Sequence, residues 1–340
     1  MKLFVYSKIC PLAQIFRFHF FSQMNILISS AASHFKKLIN SGSKKYSALL
    51  ILVTASFLIW SAASAGAFEV VAVKSSDIKP YNEALEGFKK TCNCKVREIG
   101  NLDEGRGLPE KISRISPDAV LAIGTDAFRK VRSIKDLPVI YTMVMPAEVD
   151  ILSQENISGV SMDVSPETCI NTMVEIFPKA KRIGLIYNPR HTGTFVKKAI
   201  ESARRRGVST VSKIAHDQPE IPALVNEMRG KIDILWMLPD STVVNPETVD
   251  YMLLFSFQNG VPVFTFSRKY VEMGALAALD VTPLDMGAQA GEIARTVHKD
   301  HGTPMRVYAR KPLLTINNKV AKKLGINIKD EIIRRAQIIE

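Results

Sequence analysis

From Phe68 to the C-terminus, short β-branched runs alternate with stretches whose apolar positions recur at helical spacing. Phe68–Val73, Lys95–Ile99, Ala119–Ile123 and Pro138–Met143 read as strands, with helices predicted over Tyr81–Lys90, Leu108–Ile115 and Ala127–Arg132 between them. After a less regular stretch from Met145 to Asp163 the rhythm resumes. Helices are predicted over Thr168–Phe177, Thr194–Arg206, from Asn245 to Asn259 and from Thr282 to His301. Strands are predicted over Arg182–Tyr187, Ser209–Ile214, Ile232–Met237, Pro262–Phe266 and Ala275–Leu279. A parallel neighbour is reached only by a long return connection, so this alternation predicts parallel strands joined by helical crossovers. Two such blocks separated by an irregular join predict an α/β protein of two doubly wound parallel-sheet lobes.

Local punctuation supports the element boundaries. Gly207 suits the left-handed position that closes a helix. Asn245 followed by Pro246 pairs a good capping side chain with a residue pre-set for the first helical position. Thr282 stands three residues before Asp285, a spacing that caps a helix and sets a carboxylate at its positive end.

The segment ahead of these elements has a different character. The first acidic residue is Glu69, and the 13-residue apolar run Ala48–Trp60 follows Lys44 and Lys45. Ala63-Ser64-Ala65 then supplies a small-x-small cleavage pattern, so residues 1–65 are expected to be a signal peptide or leader, cleaved after Ala65 or Ala67. The alternative is an uncleaved anchor. No cysteine follows the cleavage site, so a lipid-anchored product is not expected. Removing the seven basic residues of the leader lowers the formal net charge from +12 to +5, which weakens any nucleic-acid reading. No later run reaches membrane length, and about 275 residues remain, enough for two lobes with their own cores.

Cys92, Cys94 and Cys169 stay with the mature chain. An odd number argues against a disulfide framework. Cys92 and Cys94 either close a small disulfide in an oxidising compartment or stand as two thiols at a helix end, and Cys169 reads as a core residue. The chain contains no GxSxG, GxxxxGK[ST], HExxH or GxGxxG pattern, and no metal or other cofactor is expected.

Two-lobed proteins of this kind hold ligands where loops and helix starts converge at the carboxyl ends of the strands. In the first lobe those positions are Ser75 and Ser76, Gly124-Thr125-Asp126, and Met143 at the head of Met143–Met145. Gly124 would allow close backbone approach, and the free N–H groups after Thr125 would hold an anion; alternatively Thr125 or Asp126 only caps its own helix. The second lobe offers Asn188, Thr192, Asp240, Ser241, Thr242 and Ser267. Asp240 would suit a ligand amine or hydroxyl, or else forms a turn after Pro239. His191 reads as a loop histidine and Arg204–Arg206 as a solvated helix end.

The segments GVSMDVSPE (159–167), RIGLIYNP (182–189), LWMLPDSTVVNPETV (235–249), PVFTFSRKYVEMGALAAL (262–279) and PLLTINNKVAKKLGI (312–326) resemble an extracytoplasmic solute-binding family of ABC transporters, the group that includes aromatic amino-acid binders. The resemblance implies the type I periplasmic-binding fold, with three crossings between lobes near Ser158–Asp163, Tyr270–Gly274 and Thr303–Ala309. It divides the chain into lobe one, 66–158 with 275–305, and lobe two, 159–274 with 306–340. It further implies no enzymatic activity, a small-molecule ligand that is amino-acid-like or another small solute, and an ABC permease of the inner membrane as partner. A periplasmic monomer with no nucleic-acid partner is expected. Where amino-acid-binding relatives carry an acidic residue this chain has Thr282, and the nearest carboxylate, Asp280, joins the candidate ligand-binding residues. The alternative readings are a periplasmic sensory receptor docking onto a membrane kinase or chemoreceptor, and an extracytoplasmic enzyme.

Overall fold

Strand β3 (Ala119–Ile123) is apolar along its whole length, and β1 (Glu69–Lys74) and β4 (Val139–Thr142) are apolar apart from their end residues, because both faces of their sheet are covered. Val70, Val71, Leu121, Ala122 and Ile140 are all fully buried. The computed structural model describes residues 68–99, 107–145, 154–300 and 304–340, which fall within one compact unit. The leader, its apolar run and its cleavage pattern lie outside the described residues.

The first sheet has the order β11-β5-β4-β3-β1-β2, all parallel, with β2 at Lys95–Ile99, β5 at Ile157–Val164 and β11 at Arg306–Ala309. Helices α1 (Lys79–Cys92), α2 (Leu108–Ile115) and α3 (Thr125–Val131) follow β1, β2 and β3. The second sheet has the order β13-β12-β10-β9-β8-β6-β7. Its strands β6 (Arg182–Tyr187), β7 (Ser209–Ile214), β8 (Ile234–Trp236), β9 (Val263–Thr265) and β10 (Ala277–Asp280) are parallel. Strand β12 (Leu313–Asn317) runs antiparallel to β10, and β13 (Gln337–Ile339) runs parallel to β12. Around this sheet stand α4 (Pro166–Ile176), α5 (Pro189–Arg205), α6 (Ile221–Asn226), α7 (Pro246–Asn259), α8 (Arg268–Met273), α10 (Asn318–Lys323) and α11 (Asp330–Arg335). Apolar clusters lie on both faces of each sheet.

The capping signals do what their chemistry implies. Asn245 accepts from the Thr248 N–H while Thr248 Oγ1 accepts from the Asn245 N–H, each at 3.1 Å, and Gly207 has φ +70°. Helix α9 (Pro283–Asp300) starts on Thr282, whose hydroxyl accepts from the Asp285 N–H at 3.1 Å and donates to Asp285 Oδ2 at 2.7 Å. Helix α9 packs along α1 at close range, because a Cβ on Gly87 would overlap the Leu284 carbonyl and one on Gly287 the Ala84 carbonyl. Cys92 and Cys94 form a disulfide at the end of α1, while Cys169 is a buried free thiol.

Strands β12 and β13 lie where no element was predicted, and three further strands differ from the sequence expectation. Residues 157–164, expected to be irregular, form β5, because Ile157 and Val160 bury against a sheet that already supplies edge hydrogen bonds. Ser158, Gly159, Ser161 and Asp163 hide that strand from an apolar-run criterion. Strand β10 pairs with β9 and β12 in the second sheet, although 275–279 was expected in lobe one. Strand β11 pairs with β5 in the first sheet, although residues from 306 onward were expected in lobe two. The chain therefore passes between sheets after Val164, after Asp280 and after Ala309. Each passage falls later than expected because extended linkers and strands share one local pattern, and only lateral pairing separates them.

Candidate ligand-binding cleft

A cavity of about 530 Å³ lies at the carboxyl ends of the strands of both sheets. Its first-lobe side presents Met143, Met145, Met162 and Met286, and its second-lobe side presents Phe195, Trp236, Leu238, Phe266 and Tyr270. The aromatic rings hold one another in place. Phe195 meets Trp236 edge-on at 5.7 Å and Phe266 meets Tyr270 at 5.3 Å. Burial holds the Tyr270 phenol above its ordinary range, so it enters contacts as a neutral hydroxyl.

The polar lining is sparse. Asp163 and Asp280 line the cavity beside the first two passages between sheets, with Ser241, Thr265 and Ser267 nearby. Asp280 accepts backbone N–H groups from Val281 at 2.6 Å and Arg268 at 3.2 Å. The Thr265 hydroxyl is 1% exposed and has no hydrogen-bond partner. Cys169 also reaches the lining; burial, and after it the Asp163 charge, raises its thiol pKa, so it stays protonated and apolar. Among the described residues no group of His, Cys, Asp and Glu side chains could hold a metal ion, and no helix is long and apolar enough to cross a membrane.

Of the residues singled out from the sequence, Met143, Asp240, Ser241, Ser267 and Asp280 line the cavity. Several of the others support its walls. Ser75 Oγ accepts the Ala127 N–H at 2.9 Å, and Thr125 Oγ1 accepts the Met145 N–H at 3.1 Å. Gly124 has φ +91°, and the group brought close to it is not a ligand: a Cβ there would sit 2.5 Å from Ser75 Oγ and 2.8 Å from the Tyr81 ring. Its N–H donates to the Thr142 carbonyl. Thr125 is not a cap, because Gly124 occupies the N-cap position without a side-chain bond. Ser76 is exposed, and Asp126 is exposed and pairs with Arg129 at 3.4 Å.

Asp240 is the larger surprise. It is 1% exposed and spends its carboxylate on its own lobe: Oδ2 accepts the Asn188 N–H at 2.8 Å and the Thr192 hydroxyl at 2.6 Å, and Oδ1 accepts the Thr242 N–H at 2.9 Å. Asn188 Nδ2 donates to Thr242 Oγ1 at 3.1 Å, and Asn188 Oδ1 accepts the Arg190 N–H that starts α5. Four candidate residues thus form one buried network that ties the loop after β6 to the loop after β8. The turn-forming reading of Asp240 describes its carboxylate, while its place in the lining positions Ser241. His191 Nδ1 lies 3.1 Å from both Ser241 Oγ and Thr242 Oγ1, at the edge of this network.

Apart from Met143, the aromatic and methionine lining escaped sequence reasoning because such residues at strand ends look like core. The available signal was Phe266 and Tyr270, four residues apart across a strand-to-helix turn.

A family model described as ABC transporter substrate binding protein matches residues 100–339. The chain belongs to this family. It is 25% identical over 230 residues to a tyrosine-binding protein from Clostridioides difficile, a match covering 64% of this chain and 66% of that relative. The chain thus spans slightly under two thirds of the relative's length. Among solved structures, a ligand-free, open substrate-binding protein with adhesive properties from Clostridium difficile aligns with TM-score 0.64 and 21% identity, over 80% of this chain and 99% of that one. An ABC domain in complex with L-Trp from Streptococcus pneumonia aligns with TM-score 0.56 and 21% identity, over 81% and 100%. The fold is that of type I periplasmic binding proteins, as the family resemblance implied. The family is one of substrate-binding proteins, and the curated relative is named for the tyrosine it binds.

Proposed function

We propose that this protein is the periplasmic receptor of an ABC-type importer: it captures a small solute between its lobes and delivers it to a permease in the inner membrane. The observation that carries the reading is the cleft itself, lined from both sheets beside the passages that join them. A solute touching both walls stabilises the closed arrangement and little else, so binding becomes lobe closure. A permease can then read occupancy as shape. The apolar rings and thioethers favour a solute with a flat or flexible hydrophobic body, in keeping with the tyrosine and tryptophan named for the two relatives. In this reading the leader is cleaved after Ala65, and the monomer works in the periplasm with its ligand sites being the lining residues Met143, Ser241, Ser267 and Asp280.

Mass spectrometry of small molecules that co-purify from the native host identifies the solute, and small-angle scattering with it is expected to show a smaller radius of gyration. An unchanged radius at saturation rules out the clamp. Reconstitution with the permease tests delivery, and N-terminal sequencing of the native protein is expected to begin at Gly66 or Phe68. Docking to a kinase or chemoreceptor with no effect on uptake would replace the importer by a sensor.

A further inference from the structure

We propose that the cleft takes an arylalkyl monoamine: an aromatic ring carrying a cationic amine and no carboxylate. This deepens the receptor reading and rests on it. Three aromatic side chains, Trp236, Phe266 and Tyr270, offer ring faces and edges on the second-lobe wall. Such a wall attracts both an aromatic ring and the cation attached to it.

The charge pattern sets the sign of the ligand. Asp163, Asp240 and Asp280 line the cavity, the Asp240 carboxylate being spent on its own loops, and among the described residues the lining contains no lysine, arginine or histidine. Asp280 takes two backbone N–H groups and no ion pair among the described residues, so its negative charge meets no fixed cation there. A carboxylate entering this space would lose its water beside the Asp280 charge, whereas an ammonium group gains that charge. The Thr265 hydroxyl, buried and unpaired in the same lining, supplies an oxygen for an ammonium N–H.

The first lobe gives a carboxylate little to hold. The Ala127 N–H is bound by Ser75 Oγ, the Met145 N–H by Thr125 Oγ1, and the Gly124 N–H by the Thr142 carbonyl. Ser75, Gly124 and Thr125 are absent from the lining. With those three donors taken, an amino acid's carboxylate has none of them to replace its water.

Calorimetric titration of the purified protein with phenethylamine, tyramine, phenylalanine, tyrosine and 3-phenylpropionate decides. Each amine is expected to bind at least about tenfold more tightly than its amino acid, and 3-phenylpropionate is expected not to bind. Asp280→Asn is expected to weaken tyramine binding about tenfold or more, and Thr265→Val to weaken it with an unchanged melting temperature, which covers the case that Asp280→Asn folds poorly. Equal or tighter binding of the amino acids overturns the proposal, as does failure of both amines to bind. In either case a different small molecule co-purifying with the protein and closing the lobes leaves the receptor reading standing. Absence of any carried solute, together with no closure, removes both.

Discussion

Replacing Asp240 by alanine is expected to damage the fold more than the ligand contacts. The carboxylate is buried and accepts two backbone N–H groups and one hydroxyl, at 2.6 to 2.9 Å. A hydrogen bond to a charged acceptor contributes roughly 1.5–3 kcal/mol, and buried donors left unpaired cost more than the bond alone. Three such bonds in one network do not add independently, so a loss of about 3–5 kcal/mol is expected. For a protein of this size each kcal/mol shifts the melting midpoint by about 2–4 °C, which places Asp240→Ala about 6–20 °C below the parent. Asp240→Asn keeps an acceptor oxygen and should lose about half as much. Thr192→Val removes a single bond and should cost about 1–2 kcal/mol. Because Thr192 and Asp240 share that bond, the double variant should cost less than the two single losses together. Differential scanning calorimetry of the three single variants and the double variant gives each value. If Asp240→Ala melts within about 2 °C of the parent, the network is not what holds these loops, and the carboxylate returns to the candidates for direct ligand binding.

Gly287→Ala should cost about 3 kcal/mol, because its Cβ would overlap the Ala84 carbonyl, whereas Gly207→Ala, with φ +70° but open space around it, should cost about 1 kcal/mol; urea unfolding compares them. The Arg182 guanidinium, 2.7 Å from Asp233, holds that carboxyl below its ordinary range, with the Lys181 and Arg182 N–H groups adding to it. A folded pKa below the unfolded one means stability that is present above about pH 4 and lost as pH falls through the folded pKa. Asp233→Asn should therefore flatten the acid limb of a melting-temperature profile, and an unchanged limb would refute the pairing. Reduction of the Cys92–Cys94 disulfide should lower the melting point by only a few degrees, since a loop this short removes about 1.5 kcal/mol of chain entropy. A drop above about 15 °C would show that the bond also holds α1 in place.

Much of this architecture is legible along the chain, for a physical reason: both faces of a parallel sheet are covered, so its strands advertise themselves as apolar runs such as Ala119–Ile123, and helix ends carry their own chemistry, as at Asn245 and Thr282. The two-lobe α/β reading follows from those local signals, and the family resemblance from the five segments between residues 159 and 326. What the tertiary structure decided is everything set by lateral partners. Strand β5 exists because a sheet edge receives it, and β10 and β11 belong to their sheets through pairing that no local pattern encodes. The same holds for the site. Asp240 and Thr125 are polar residues at strand ends, which sequence alone reads as ligand contacts, yet the loops that fold over them consume their oxygens first. Trp236, Phe266 and Tyr270 read as core by type and become a binding wall only because two sheets end at one cleft. A side chain's role there depends on which neighbours reach its polar atoms, and that is a property of tertiary packing.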